Sequence, residues 1–253
     1  MQLMADSEER PFQRPLSGAK VGRLPSALVP ARSALIGRLV TLEPLDAARH
    51  AGDLFEASHG SAAALRIWDY LPVGPWGSQA EYTTVLRQQT ARHEQVYYAV
   101  RPAEGGKACG QTSFLDIQPE NGVIEIGSIW FGLTLRRTRS ATEALYLMLR
   151  HAMDDLGYRR MQWRCNALNS ASRAAARRLG FRFEGIFYNH MIFKGRNRDT
   201  AWYSILDDEW PEIRVILEQW LAPSNFDHGG LAKTSLTAVM GQRGPSRRGG
   251  DEA

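Results

Sequence analysis

The sequence predicts an α/β protein with one central mixed sheet and helices on its faces. Strand-like and helix-like segments alternate through the middle of the chain. A long amphipathic helix separates two strands, as in a parallel crossover. The composition, with 43% hydrophobic and 23% charged residues, is that of a globular protein with one sizeable core.

The two ends of the chain differ from its middle. Residues 1–33 are rich in Pro, Arg, Ser and Ala without a sustained period, and residues 223–253 contain Gly and Arg clusters. Both compositions predict disordered tails around a single domain at 34–222. Of the net charge of +4, the tails carry +2 and +1. The basic balance is therefore weak evidence for a nucleic-acid partner.

The cysteine count and the hydropathy pattern predict a cytoplasmic protein. Two cysteines, Cys109 and Cys165, cannot build a disulfide framework, and no Cys/His spacing suggests a metal site. No apolar run approaches the roughly 20 residues that span a bilayer. The N-terminus becomes acidic after five residues, at Asp6, unlike a secretory signal.

The first half of the predicted domain contains two helices and four strands. The strands are expected at 38–42, 95–100, 110–117 and 123–135, and the helices at 47–58 and 78–93. Ser78 and Glu81 have the spacing of a capping box at the second helix. Pro119, Asn121 and Gly122 predict a turn that makes a hairpin of the third and fourth strands.

The second half begins with the longest helical pattern. It predicts helices at 138–156, 170–179 and 211–221 and strands at 161–166, 181–193 and 200–206. Gly157 and Gly180 end the first two helices. The long helix connects the strands at 123–135 and 161–166, which predicts a right-handed parallel crossover.

The junction before the long helix concentrates basic and hydroxyl side chains. The run contains Arg136, Arg137, Thr138, Arg139, Ser140, Ala141 and Thr142. Free N–H groups and the dipole make a helix N-terminus an anion site, and guanidinium groups suit phosphate oxygens. From spacing alone, a solvated basic helix start that Thr138 caps is an equal alternative.

At these residues the chain resembles the GNAT acetyltransferase superfamily, in particular the RimJ/RimL-like ribosomal-protein N-acetyltransferase branch. The resemblance covers about 36–206. It rests on the order and spacing of several motifs: Trp68-Asp69-Tyr70-Leu71-Pro72, Ile126-Gly127-Ser128-Ile129-Trp130-Phe131, Ala141-Thr142-Glu143-Ala144, Asn169-Ser170-Ala171-Ser172, Leu179-Gly180-Phe181 and Phe183-Glu184-Gly185.

The resemblance implies a GNAT-like acyl-CoA N-acyltransferase fold with acetyl-CoA as co-substrate and no metal. The strand at 126–131 would carry a bulge and splay from the strand at 161–166, so that the pantetheine arm lies between them. A backbone N–H among Ile129, Trp130 and Phe131 would hold the thioester carbonyl oxygen. In the pyrophosphate loop, Arg139 stands where the family usually has glycine, so an arginine side chain could bind phosphate there instead.

The resemblance carries one of the catalytic candidates. Ser172 matches the serine proposed as catalytic in this branch, although it could simply be a small residue of a first helical turn. The family's alternative tyrosine position is Ala176 here, and the usual glutamate base position is Met191. His190, which titrates near neutrality, and Glu125, acting through a bridging water, are candidate bases from their own chemistry. Their structural alternatives are a surface histidine and a cross-strand pair, and an amine of low pKa could need no dedicated base.

Further residues could line the site. Asn166 and Asn169 could bind pantetheine amides, or bond the local turn and cap the next helix. The run 194–199 is expected at a charged hairpin tip that could attract an acidic substrate or the adenosine 3′-phosphate. The aromatic residues Trp68, Tyr70, Trp76 and Tyr82 could wall a pocket or belong to the core.

The sequence therefore predicts an enzyme that transfers acetyl from acetyl-CoA to a primary amine by direct attack in a ternary complex. The acceptor would be a small molecule or a protein N-terminus, without membrane or nucleic-acid partners. A non-catalytic acyl-CoA sensor is the alternative, and an RNA-binding protein is a third reading. The acceptor and the oligomeric state are not predicted.

Overall fold

The computed structural model describes Val21 and residues 29–244. Most of the predicted leader and residues 245–253 lie outside this part. Eight strands form one sheet in the order β1-β2-β3-β4-β5-β6-β8-β7. Their bounds are β1 Leu35–Ile36, β2 Val40–Pro44, β3 Val96–Pro102, β4 Gly110–Gln118, β5 Val123–Phe131, β6 Arg160–Asn166, β7 Arg182–Phe193 and β8 Arg196–Leu206.

Seven α-helices pack around the sheet in the described residues. They are α1 Ala47–His59, α2 Ala62–Leu65, α3 Gln79–Ala91, α4 Arg139–Arg150, α5 Ser170–Arg178, α6 Trp210–Leu221 and α7 Leu236–Gly241. The mixed sheet flanked by helices is confirmed. Among the strands of the described residues, only β5 and β6 are parallel neighbours, so the crossover through α4 is confirmed as well.

Strand β3 shows how the sheet joins two hydrophobic cores. Val96, Tyr98 and Val100 belong to the larger core with α4 and α6, whereas Tyr97 and Ala99 belong to the smaller core with α1 and α3. Successive side chains of a strand point to opposite faces. A strand that is apolar on both faces therefore lies between two helical layers.

Strand β5 is shorter than predicted. It ends at Phe131, and the chain then turns instead of continuing as a strand to Leu135. The N–H of Gly132 donates to the Cys109 carbonyl at 2.7 Å, and the N–H of Leu135 donates back to the Gly132 carbonyl at 3.0 Å. Leu135 is apolar because it is buried in the larger core, not because it extends the strand.

The C-terminal segment differs from the expected disordered tail. Residues 223–244 include a 3₁₀ turn at Pro223–Asn225 and helix α7. Leu236 and Met240, four residues apart on one helical face, are buried in the larger core. The guanidinium of Arg243 donates to the Gly180 carbonyl at 2.8 Å. The burial of these two apolar side chains stabilises the segment, although the composition around it is rich in glycine.

Candidate active site

Strands β5 and β6 pair only where they begin. Their register runs from Val123↔Arg160 to Glu125↔Gln162, and no further pairs follow. A cavity of about 230 Å³ opens beyond this point. Both strands, the start of α5 and the β7–β8 hairpin line it, as does the segment at 67–72. The structure thus contains the gap that the resemblance implied.

A bulge lies in β5 beside this gap. The pairing with β4 jumps from Ser113↔Gly127 to Gln111↔Trp130, which leaves Ser128 and Ile129 opposite a single residue. Ser128 has a φ of 50°, in the left-handed region. A bulge frees backbone groups from the ladder, so the β5 edge that faces the cavity offers N–H donors to a ligand.

Six of the predicted site residues line the cavity: Glu125, Ile129, Asn166, Asn169, Ser172 and His190. Trp130, Phe131 and the run 136–142 lie outside it. The Trp130 side chain is buried in the smaller core, with its ring centre 5.7 Å from that of Trp68. The Phe131 carbonyl accepts a bond from Arg136 Nε at 2.8 Å. Neither side chain lines the gap.

Helix α4 begins close to the end of β5, as predicted. Thr138 is its N-cap, and Thr138 Oγ1 accepts a bond from the Ala141 N–H at 3.1 Å. Arg137 is exposed and has a φ of 62°, which is unusual for a residue with a side chain. Thr142 Oγ1 accepts a bond from Arg178 at 3.0 Å. Capping and anion binding are compatible here, because one cap satisfies only one of the free N–H groups.

The side chain of Arg139 points to the protein rather than to the helix N-terminus. Its guanidinium donates to the Leu221 carbonyl and lies 3.9 Å from the ring centre of Phe226. Burial lowers its pKa, and the nearby Arg38 adds to this effect. Arg139 therefore ties α4 to the end of α6, and Arg136 and Arg137 are left as the exposed cations of the loop.

Glu125 is the last residue of β5 that pairs with β6 before the gap. Its side chain is only 4% exposed, and its carboxylate contacts the guanidinium of Arg164, which also contacts Asp116. Burial raises the pKa of Glu125 to about 7, although Arg164 opposes this shift. A carboxylate with this pKa can accept a proton near neutral pH.

Ser172 lies at the other wall of the cavity, in the first turn of α5. Its hydroxyl oxygen accepts a bond from Trp163 Nε1 at 3.0 Å. The proton of the hydroxyl can then be donated to a sulfur atom. Within the protein, a hydrogen bond from this hydroxyl lowers the pKa of the Cys165 thiol, although burial has the larger effect and raises that pKa. The hydroxyl can therefore donate a proton into the cavity.

The two predicted asparagines stabilise the turn between β6 and α5. Asn166 Oδ1 accepts a bond from the Leu168 N–H at 2.9 Å. Asn169 is the N-cap of α5, and its Oδ1 accepts a bond from the Ser172 N–H at 3.0 Å. Both structural alternatives are thus present. The side-chain NH₂ groups of both residues remain as donors at the cavity wall.

His190 lines the cavity from β7 and is otherwise exposed. Its Nδ1 lies 3.0 Å from Thr200 Oγ1, a hydroxyl of the neighbouring strand. Met191 lines the cavity beside it. The structure therefore brings His190 of β7 to the same cavity as Glu125 of β5.

Sequence reasoning missed part of the cavity wall. Trp163, Arg164 and Cys165 line it from β6, and Thr200 lines it from β8. The sequence signal that could have predicted them was the position of β6 beside the expected gap. Consecutive residues of this strand line the cavity, although their side chains alternate between the two faces of the sheet. The hairpin tip is also shorter than predicted, because β8 begins at Arg196 and places Arg198 within the sheet.

The aromatic cluster divides between core and cavity. Trp68 and Tyr82 are buried in the smaller core, and Trp76 packs against it. Tyr70 lines the cavity instead, and its hydroxyl donates to the Leu168 carbonyl at 3.3 Å. Only Tyr70 of this set can touch a ligand in the cavity.

A second cavity, of about 590 Å³, lies at the opposite end of β6. None of the predicted site residues lines it. Four of its charged side chains are paired with each other, Arg160 with Glu184 and Arg182 with Glu209. We therefore assign the smaller cavity between β5 and β6 as the candidate site.

Two other classes of site are absent from the described residues. No group of three or more His, Cys, Asp or Glu side chains there could hold a metal ion. No helix in that part of the chain is both long and apolar enough to cross a bilayer.

Comparison with known proteins places this geometry in a family. Residues 39–182 match the family model described as Acetyltransferase (GNAT) domain. The crystal structure of a GCN5-related N-acetyltransferase from Brucella melitensis is 44% identical, with a TM-score of 0.81. That match covers 84% of this chain and 96% of the other.

Two further relatives agree with this result. A crystal structure of a GNAT-family protein from Chromobacterium violaceum ATCC 12472 is 40% identical, with a TM-score of 0.72 over 77% of this chain and 96% of the other. A Bacillus subtilis (strain 168) protein, provisionally named ribosomal N-acetyltransferase YdaF, is 26% identical over 172 residues. That match spans 67% of this chain and 90% of the relative.

Proposed function

The chain belongs to the GNAT acetyltransferase family, and from this premise we propose that it transfers an acetyl group from acetyl-CoA to a primary amine. The acceptor is a small molecule or a protein N-terminus, and the amine attacks directly in a ternary complex. The observation that carries the proposal is the gap between β5 and β6, with a bulge on one wall and proton-transfer groups inside it.

The residues present fit acetyl-CoA. The unpaired edge of β5 beside Ser128 and Ile129 offers N–H groups to the pantetheine amides and to the thioester oxygen. The N-terminus of α4 and the exposed side chains of Arg136 and Arg137 suit the diphosphate. When bound there, acetyl-CoA supplies an activated acyl group.

Glu125 is the proposed base. Its pKa of about 7 allows it to take a proton from the acceptor's ammonium group, directly or through water, near neutral pH. The freed amine nitrogen then forms its bond to the acyl carbon as the carbon–sulfur bond breaks. His190 lines the same cavity from β7 and can hold the acceptor through its exposed ring.

Ser172 is the proposed proton donor to the departing sulfur. Trp163 holds the hydroxyl oxygen at 3.0 Å, so the hydroxyl proton can be directed into the cavity. As the amide forms, the nitrogen loses a second proton, which restores the Ser172 hydroxyl after that hydroxyl has protonated the sulfur. The transfer thus yields the amide, CoA as the free thiol and one proton on Glu125. Asn169 fixes the Ser172 backbone by accepting its N–H bond, and so positions the hydroxyl.

The acceptor class is narrowed by one comparison. The Bacillus subtilis relative carries a ribosomal name, which supports a protein N-terminus as acceptor. The sensor alternative is not favoured, because Glu125, Ser172 and His190 provide acid–base groups that mere binding would not need.

The experiment that tests the proposed function is a turnover assay with the full-length chain. Release of free CoA from acetyl-CoA is followed with a panel of small primary amines and N-terminal peptides, and the products are identified by mass spectrometry. Amine-dependent CoA release with an acetylated product supports the proposal. Saturable acetyl-CoA binding without any product would overturn it in favour of a sensor.

A further inference from the structure

The cavity contains an arginine that forms no ion pair with another described residue. Arg198 lines the cavity from β8, and its Nε is buried without a hydrogen-bond partner among the described residues. The other arginine of the cavity, Arg164, contacts both Glu125 and Asp116. One cation of the cavity is therefore in direct contact with carboxylates and the other is not.

The position of the Arg198 guanidinium is energetically unfavourable. A guanidinium stays charged at any physiological pH, and burying a charge without a partner is unfavourable. Burial accordingly lowers the pKa of Arg198, although Cys165 and Glu125 raise it. The guanidinium carbon lies 4.3 Å from the ring centre of Phe193, which orients the side chain. An oriented, unpaired and partly buried cation is an anion site.

The anion does not belong to the phosphates of the co-substrate in the proposed function. Those phosphates are assigned to the α4 N-terminus, whose residues do not line the cavity. Arg198 instead shares the cavity with Glu125 and Ser172, where the reacting groups meet. An anion bound by Arg198 is therefore carried by the acceptor.

We propose that the amine acceptor also carries a carboxylate, and that Arg198 selects it by binding this group. This inference rests on the proposed function and adds the chemical class of the acceptor. Glu125 and Arg198 then present opposite charges to an acceptor that has both an ammonium and a carboxylate group. The carboxylate comes from a free amino acid or from an acidic side chain close to a peptide N-terminus.

Two matched acceptor pairs distinguish these sources. The first pair is free serine and serinamide, and the second is the peptide amides Ser-Asp-Ala-Ala and Ser-Asn-Ala-Ala. The wild type is expected to favour the carboxylate in one pair by about tenfold or more in kcat/KM, because a charge-assisted bond is lost with the neutral partner. The pair that shows the preference identifies the source.

Variants assign the preference to Arg198. In Arg198→Met the ratio of kcat/KM for the acceptor with the carboxylate to kcat/KM for its neutral partner should fall close to one. Arg198→Lys should keep a part of this preference, since lysine retains the charge without the planar guanidinium. Arg196→Met is the matched control, because Arg196 is exposed on the same strand and does not line the cavity. It should keep the wild-type preference. Thermal melts show whether each variant is folded.

The outcomes separate the two proposals. If the wild type acetylates serinamide and the Asn peptide but prefers neither carboxylate, the inference about the acceptor is wrong and the proposed function stands. An unchanged preference in folded Arg198→Met and Arg198→Lys would show that another group binds the carboxylate. If no amine gives CoA release, the proposed function itself fails.

Discussion

The guanidinium of Arg164 contacts the carboxylate of Glu125 at the point where β5 and β6 part. Arg164 lies two residues beyond the last paired residue of β6, so the ion pair marks the closed end of the gap. Despite this contact, burial raises the pKa of Glu125 to about 7. One carboxylate thus closes the gap and provides a proton acceptor inside it.

Glu125→Gln is expected to lower kcat/KM by about 100-fold, because general base catalysis typically contributes a factor of this size. The base works in its ionised form, so the wild-type kcat/KM should rise with pH and level off above a pH of about 7. The variant should lose this limb of the pH profile. Glu120→Gln, at an exposed turn, is the control. An unchanged pH profile in Glu125→Gln would assign the base elsewhere.

Ser172→Ala is expected to lower kcat by about tenfold with a smaller change in the KM for acetyl-CoA, because the proton donor to sulfur is lost. Trp163 Nε1 also loses its partner, which should cost about 1 kcal/mol of unfolding free energy. Steady-state kinetics and denaturant unfolding measure the two effects. Ser170→Ala, an exposed residue of the same turn, should change neither. Full activity in Ser172→Ala would leave Ser172 a purely structural role.

Arg137→Ala is expected to weaken coenzyme A binding roughly three- to tenfold, because the diphosphate then loses its interaction with an exposed cation beside the N-terminus of α4. Calorimetric titration at low and high salt measures the effect, and the difference should shrink at high salt. Arg150→Ala removes an exposed charge at the other end of α4 and serves as the control. Equal losses in both variants would point to a general charge effect.

His59 makes stability depend on pH. Its Nε2 accepts a bond from the Trp76 N–H at 3.2 Å, and burial lowers its pKa below the ordinary 6.5. The His59 imidazole therefore binds a proton more readily in the unfolded chain than in the folded one. Its contribution to the free energy of unfolding is fully present above pH 6.5 and decreases as the pH falls below that value. As the pH is lowered through this range, the melting temperature should decrease less in His59→Gln than in the wild type. His93→Gln, at an exposed position, should retain the wild-type slope; equal slopes in all three proteins would contradict the assignment.

Met240→Ala is expected to destabilise the domain by about 2 to 4 kcal/mol, since it leaves a cavity in the larger core. Denaturant unfolding measures the change. Leu231→Ala is the control, because Leu231 is exposed and precedes α7. If both substitutions are neutral, the segment that contains α7 does not pack as described.

Much of the fold follows from local patterns in the sequence. The 3.6-residue period of α4 and the glycine after it predicted the crossover helix, and the apolar runs on either side predicted β5 and β6. The end of β5 was overestimated because Leu135 is apolar for a tertiary reason. Helix α7 was missed because its two buried residues are a weak signal within a polar, Gly-rich stretch.

The candidate site was predictable where a motif carried it. Ser172 and Asn169 were found because they lie in one motif, and Glu125 because it precedes the central strand motif. The partner of Glu125 was not predictable, since Arg164 is distant in sequence and meets it only through the parallel pairing of β5 and β6. The orientation of Arg139 depends in the same way on Leu221 and Phe226, which no local pattern connects to it.

Equilibrium dialysis of labelled coenzyme A against the full-length protein tests the central claim most directly, because the account assigns the gap between β5 and β6 to this molecule. We expect saturable binding of one molecule per chain, which unlabelled acetyl-CoA displaces completely. An absence of saturable uptake at millimolar coenzyme A would contradict the account.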